Sequence, residues 1–155
     1  ASGSVWGGPS HPSFQESLPR VDNFNTFHVP RQRELLRFQN EGGKLRNKLH
    51  RSVPQAAADA VSHLFDQALA EGGPTPEIVS HGGGRDVLDA LSERFPAQDF
   101  SIARGVLRDF GNMSSPSVLF ALERTLARDG QSADLNYWLT SFGAGFAAHS
   151  CRLTR

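Results

Sequence analysis

Apolar residues in this 155-residue chain change their period along its length. From Ser52-Val53-Pro54 onward, Ala57, Ala60, Val61, Leu64, Phe65 and Ala68 recur every three or four positions. That spacing predicts one buried helical face, with Ser52 as cap, Pro54 in the first turn and Gly72-Gly73-Pro74 as the stop. Glu77-Ile78-Val79 reads as a short strand, His81-Gly82-Gly83-Gly84 as a turn, and 85–94 as a helix with Val87, Leu88 and Leu91 inward. A second unit places Gly111-Asn112 in a turn and starts a helix at Pro116, with Val118, Leu119, Leu122 and Leu126 inward. Tyr137-Trp138-Leu139-Thr140 is a strand entering the turn Phe142-Gly143-Ala144-Gly145-Phe146, and Ala147 to Leu153 leaves it as another. Residues 33–50 suggest a β-hairpin about Glu41-Gly42-Gly43, since glycine supplies positive φ at the bend. Residues 1–30 are rich in Gly, Pro, Ser and Asn and read as an irregular lead-in; 31–155 form the domain. So long a structureless segment is unusual in a compact domain, and it counts toward a missing upstream partner.

Strands alternating with helices predict an α/β fold whose sheet is covered on both faces. Ligands of such sheets sit in the turns at strand ends. His81, Asn112 and the glycines at 143–145 all occupy turns next to strands or helices.

Composition narrows the field. Apolar residues are only 38% of the chain, but 11 Phe supply the bulk for a core. Sixteen basic and sixteen acidic residues cancel, so no field suited to nucleic acid or a membrane surface is expected. No apolar run is long enough to span a bilayer, and no leader pattern is visible. One cysteine, Cys151, leaves no internal disulfide framework and fits a reducing, cytoplasmic setting.

Each turn has competing readings. His81-Gly82-Gly83-Gly84 fails as a dinucleotide fingerprint, because Val87 stands where the third glycine is needed. It fails as a hydrolase oxyanion turn, because no G-x-S-x-G elbow exists in the chain. A glycine-rich helix entry beside a surface histidine remains open for it. The six histidines, at 11, 28, 50, 63, 81 and 149, have no metal-ligand spacing. Asn112 could be turn material, but Ser114 or Ser115 stands in the better cap position, which leaves its amide free.

Taken in order, the His81 turn, Gly111-Asn112-Met113-Ser114-Ser115-Pro116 and Ser141-Phe142-Gly143-Ala144-Gly145-Phe146 resemble the C-terminal half of a thiolase-fold condensing enzyme. Type III polyketide synthases of the chalcone synthase family and ketoacyl synthase III relatives are the nearest look. Gly-Asn-Met-Ser-Ser leans to the first group, and Ser141 to Gly145 to the second. The hairpin GKLRNKLHRSVP fits as well, so the resemblance covers residues 33–155. One departure is Gly82, where the family has proline.

The resemblance implies a thiolase-like half with a mixed β-sheet covered by helices, completed by an N-terminal half. It implies decarboxylative Claisen condensation of acyl thioesters. In a Cys–His–Asn site, His81 and Asn112 would donate hydrogen bonds to a thioester carbonyl, and His81 would lower the pKa of the nucleophile. Phe142, Gly143, Ala144, Gly145 and Met113 would line the acyl pocket. Implied partners are the N-terminal half carrying the nucleophilic cysteine, a dimer of such pairs, and coenzyme A or an acyl carrier protein as thioester carrier. No metal or resident cofactor is implied. Cys151 follows the glycine turn and does not match the nucleophile; a small buried side chain is its expected role. A non-catalytic scaffold subunit is the alternative. The basic stretch Arg31, Arg33, Arg37, Lys44, Arg46 and Lys48 reads as a carrier-docking patch or as a solvated hairpin.

Overall fold

The computed structural model describes residues 19–130 and 134–155. Strand β1 (Arg20–His28) is followed by a short 3-10 turn and the hairpin β2 (Leu36–Glu41) and β3 (Lys44–Leu49). Helix α1 (Val53–Ala70), strand β4 (Glu77–Ser80) and helices α2 (Arg85–Arg94), α3 (Ser101–Phe110) and α4 (Pro116–Asp129) come next. Strands β5 (Asn136–Gly143) and β6 (Ala147–Thr154) complete the chain. The main sheet has the order β1-β6-β5-β4; β4 and β5 are parallel and the other pairs antiparallel. Helices α2 to α4 form the crossover that parallel neighbours need.

Alternation along the strands divides the core into two layers. Ile78, Trp138, Phe142 and Ala148 face α1 and α2, meeting Val61, Leu64, Phe65, Leu88 and Leu91. All six apolar positions expected on the inner face of α1 are buried. Val79, Tyr137, Leu139 and Leu153 face the other way, toward Val106 of α3 and Ala121 of α4. The hairpin forms its own two-stranded sheet, turning on Gly42 and Gly43, whose φ values are 59° and 78°.

Several expectations need correction. Residues 20–28, expected to be loop or extended chain packed on something larger, are an extended edge strand on β6; residues 1–18 lie outside the described residues. Helix α3 had no counterpart in the reading of the sequence. Ser52 stands at the N-cap of α1, but its hydroxyl bonds His50 instead of a helix N–H.

On α4, Val118, Leu122 and Leu126 pack partly buried against the second core layer as expected, whereas Leu119 is 62% exposed; the most buried positions are Ser117, Ala121 and Thr125. Small side chains at i, i+4 and i+8 let the helix axis lie close to the sheet. Its C-terminal end is pinned where Arg128 donates to both carboxylate oxygens of Glu77 at 3.0 and 2.7 Å. Ala121→Leu should therefore overpack this layer and cost about 1–3 kcal/mol in urea denaturation.

Helix α4 packs on β4 and β5. Beyond it, a shallow hollow runs over β6 and β1, bordered by Leu119, Leu139, Ser141, His149, Cys151 and Phe24, the last 74% exposed. Sheets of this class are normally covered on both faces.

Candidate functional site

His81 extends the parallel ladder one residue past β4. Its N–H donates to the Thr140 carbonyl at 3.1 Å, and its own carbonyl accepts the buried Ser80 hydroxyl at 2.9 Å. The residue is 3% exposed, which removes the surface-histidine reading. Its ring lies 4.4 Å from the Phe142 ring, and its Nδ1 is buried without a hydrogen-bond partner. Burial alone lowers its pKa to about 4, so the imidazole is neutral at pH 7. It can donate a hydrogen bond without bringing a charge.

The glycines after it are not equivalent. At Gly83, φ is +59° and a Cβ would stand 2.5 Å from Cζ of Phe142. No side chain fits there. Gly82 has no positive φ, and a Cβ would meet Leu107 at 3.4 Å, an ordinary contact. The departure from the family's proline thus falls at the position that tolerates a side chain.

Asn112 follows Gly111, which ends α3 with φ +72°. Its Nδ2 donates to the Gly83 carbonyl at 2.8 Å, and its Oδ1 accepts the Ser114 N–H at 2.9 Å. The serines do not release it from turn work: neither Ser114 nor Ser115 caps α4 through its hydroxyl, and Ser117 accepts the Met113 N–H instead. Asn112 therefore ties the two turns together. A carboxamide nitrogen carries two hydrogens. Gly83 takes one, and the second has no acceptor among the described residues.

A cavity of about 220 Å³ opens where these groups meet. His81, Gly83, Asn112, Ser114, Phe142, Gly143 and Ala144 line one side, and Leu36, Phe38, Asn47, Leu49 and Val53 the other. A neighbouring cavity of about 400 Å³ shares Leu49, Val53 and Gly83 and adds Arg51 and Arg85. Together they make two compartments meeting at Gly83, one lined by the polar side chains of His81, Asn112, Ser114 and Asn47, the other with Arg51, Arg85 and Asp86 on a largely apolar wall.

Five of the seven residues singled out from the sequence, namely His81, Asn112, Phe142, Gly143 and Ala144, line this cavity. Gly145 does not: its N–H donates to the Leu36 carbonyl at 3.1 Å, and its carbonyl accepts His28 Nε2 at 3.0 Å. It anchors the hairpin. Met113 packs against the second core layer. Cys151 sits half-buried in the hollow near Phe24, its thiol pKa raised by burial and, less, by Asp22, so it is not an activated nucleophile. Ser80, Phe38 and Asn47 were missed. The signal for the last two was available, since Phe38 and Asn47 are directly paired across the hairpin and point to one face.

Four of the six basic hairpin residues share two carboxylates, Glu34 and Glu41, so the stretch stays net positive. Arg37 pairs with Glu34 at 2.8 Å, and Lys48 and Arg46 pair with Glu41 at 2.7 and 3.3 Å. These exposed pairs describe a solvated surface.

The family described as chalcone and stilbene synthases, C-terminal domain, matches residues 24–151. The chain belongs to that family. A 3-ketoacyl-CoA synthase (number 3) of Arabidopsis thaliana is 33% identical over 125 residues, which are 76% of this chain and 26% of that protein. The 1,3,6,8-tetrahydroxynaphthalene synthase of Streptomyces coelicolor is 24% identical over 134 residues, 83% of this chain and 36% of that protein. The crystal structure of a tetrahydroxynaphthalene synthase from S. coelicolor, a bacterial type III polyketide synthase, superposes with a TM-score of 0.74 at 24% identity, over 88% of this chain and 40% of that one. PKS-I from the brown alga Ectocarpus siliculosus gives 0.75 at 20% identity, over 90% and 40%. The fold is thus the thiolase-like C-terminal region of condensing enzymes, and the chain spans about a third or less of these two curated relatives. Among the described residues, no helix is long and apolar enough to cross a membrane.

Proposed function

We propose that this chain supplies the two hydrogen-bond donors of a decarboxylative Claisen condensation, with the nucleophilic thiol on the complementary half of the thiolase fold. The observation that carries the reading is that His81 and Asn112 line one cavity, with His81 Nδ1 unpartnered and one Asn112 hydrogen without an acceptor among the described residues. When a malonyl-type thioester loses CO2, charge develops on its carbonyl oxygen. Fixed donors stabilise that charge without reorganising, at about 3 kcal/mol per donor once the complementary half closes the cavity. A neutral imidazole and a carboxamide suit this role, because neither leaves a buried charge before reaction.

The hollow over β1 and β6 supports the complementary half as partner. Phe24 and Leu119, 74% and 62% exposed, flank a cleft that a second α/β layer would cover. The carrier would reach the thioester compartment past Arg51 and Arg85. The experiment is native mass measurement of the purified material, with decarboxylation of malonyl-coenzyme A and of a malonyl carrier protein followed in parallel. A heteromeric assembly that releases CO2 is expected. A stable 17 kDa monomer, or an assembly inert toward both thioesters, contradicts the proposal. Full decarboxylation by an assembly lacking Asn112 would make the chain a scaffold instead.

A further inference from the structure

We propose that Phe142 is a positioning residue that holds the His81 imidazole and the Asn112 carboxamide in one fixed relation. The proposal rests on the functional reading only for what the two donors serve; the coupling itself is a matter of contacts. On one side the Phe142 ring stacks against His81, with centroids 4.4 Å apart and planes tilted by 43°. On the other it presses on Gly83 so closely that a Cβ there would lie 2.5 Å from Cζ and 2.8 Å from Cε2. The Gly83 carbonyl in turn holds Nδ2 of Asn112 at 2.8 Å. At the far end, Oδ1 of Asn112 is held by the N–H of Ser114, a non-glycine residue at φ +62°. One ring is therefore the common wall of both turns. A shift of that wall moves the imidazole directly and the carboxamide through a single peptide.

The ring itself is firmly placed. Phe142 is 5% exposed on β5, paired with Ala148 of β6, and embedded in the layer of Trp138 and Leu88. Positive φ at Ser114, a non-glycine residue, marks backbone held by its surroundings and not by its own preference. The two turns lie about thirty residues apart in sequence, and the contacts through Phe142 and Gly83 bring their donors into register. The ring's outer edge also lines the cavity, so acyl contact and donor placement fall on one residue.

The test is NMR of the isotope-labelled chain in its native assembly, read at the His81 ring C–H and the Asn112 side-chain NH2. In the wild type, His81 should not titrate between pH 5.5 and 8, and one Asn112 hydrogen should exchange slowly. In Phe142→Leu, which keeps an apolar side chain but removes the ring, the His81 midpoint should rise by at least about one pH unit toward its ordinary value. The slow Asn112 hydrogen should be lost as well. Phe142→Tyr should behave in the same way, because its added hydroxyl would project from Cζ into Gly83. A folded Phe142→Leu with unchanged His81 and Asn112 signals overturns the proposal and leaves Phe142 as core filling.

Gly83→Ala gives a decision that does not depend on the Phe142 variants folding, because its added methyl would push the ring. In folded Gly83→Ala the His81 ring signals should move along with those of Asn112, and unchanged His81 signals there overturn the interlock. None of these readouts needs turnover. Loss of condensation with the coupling intact would strike the functional reading alone, and absent coupling in an active assembly would strike this one alone.

Discussion

Asn112→Ala should lower condensation by about 10²- to 10³-fold, with little change in KM. A donor aimed at developing charge acts on the transition state far more than on bound thioester, so the loss belongs in kcat. His81→Ala should fall in the same range. The double variant should lose less than the product of the two, because removing either donor leaves the carbonyl oxygen poorly held and the remaining donor works on a displaced group. Asn112→Asp is the sharper probe. It keeps the shape but sets a carboxylate against the Gly83 carbonyl, where Nδ2 now donates at 2.8 Å, and against the forming enolate. It should be at least as damaging as alanine. The measurement is steady-state and single-turnover decarboxylation with the native assembly.

Acid should weaken the fold through His81. Its folded pKa is about 4 against an ordinary 6.5, so between those values the unfolded chain binds a proton that the folded one refuses. Stability is then full above pH 6.5, falls as pH drops through this window, and levels off below 4. From pH 7.5 to 4.5 this single group accounts for about 2.5 kcal/mol. Urea denaturation at the two pH values should show that loss in the wild type, and a markedly smaller one in His81→Gln. Asp129 does not confuse the comparison. Hydrogen bonds from Arg128 and Tyr137 hold its pKa at about 2, so its contribution persists above the usual carboxylate range and is lost only in stronger acid. An equal acid sensitivity in His81→Gln would show that the imidazole is charged in the fold.

Much of this architecture is legible in periodicity, and the failures have physical causes. Helix α1 is readable because a long amphipathic stripe packs against a sheet, and burial follows the stripe. Strand β1 is hidden because a register shift between Asp22 and Asn25, with Asn23 at φ +51°, breaks the two-residue alternation. Helix α3 is hidden for a different reason. Gly105, a poor helix former, stands in its middle, where a Cβ would meet only the guanidinium tip of Arg124 at 3.2 Å. The α3 cap is Asp99, two residues before the helix, accepting the Ser101 N–H at 2.8 Å. On helix α4 the pattern places Val118, Leu122 and Leu126 correctly against the layer, but the closest approach is made by the small residues Ser117, Ala121 and Thr125, and Leu119 stays out.

The sequence shows the site as residue types in turns, and His81 and Asn112 do line one cavity. What no pattern could show is how the polar atoms of Asn112 are shared out. Its oxygen serves the turn, one hydrogen ties down Gly83, and one is left. Nor could sequence place Gly145 in the anchoring of the hairpin, since that depends on the Leu36 carbonyl more than a hundred residues away.

The proposed donor pair stands or falls on where a thioester oxygen comes to rest. An experimental structure of the native assembly with a non-decarboxylating malonyl thioester analogue would locate it. The analogue's carbonyl oxygen should lie about 2.7–3.1 Å from both a His81 ring nitrogen and Asn112 Nδ2, with a cysteine sulfur of the complementary half beside the carbonyl carbon. An analogue bound away from both donors, or a cavity with no thiol facing it, would refute the donor pair.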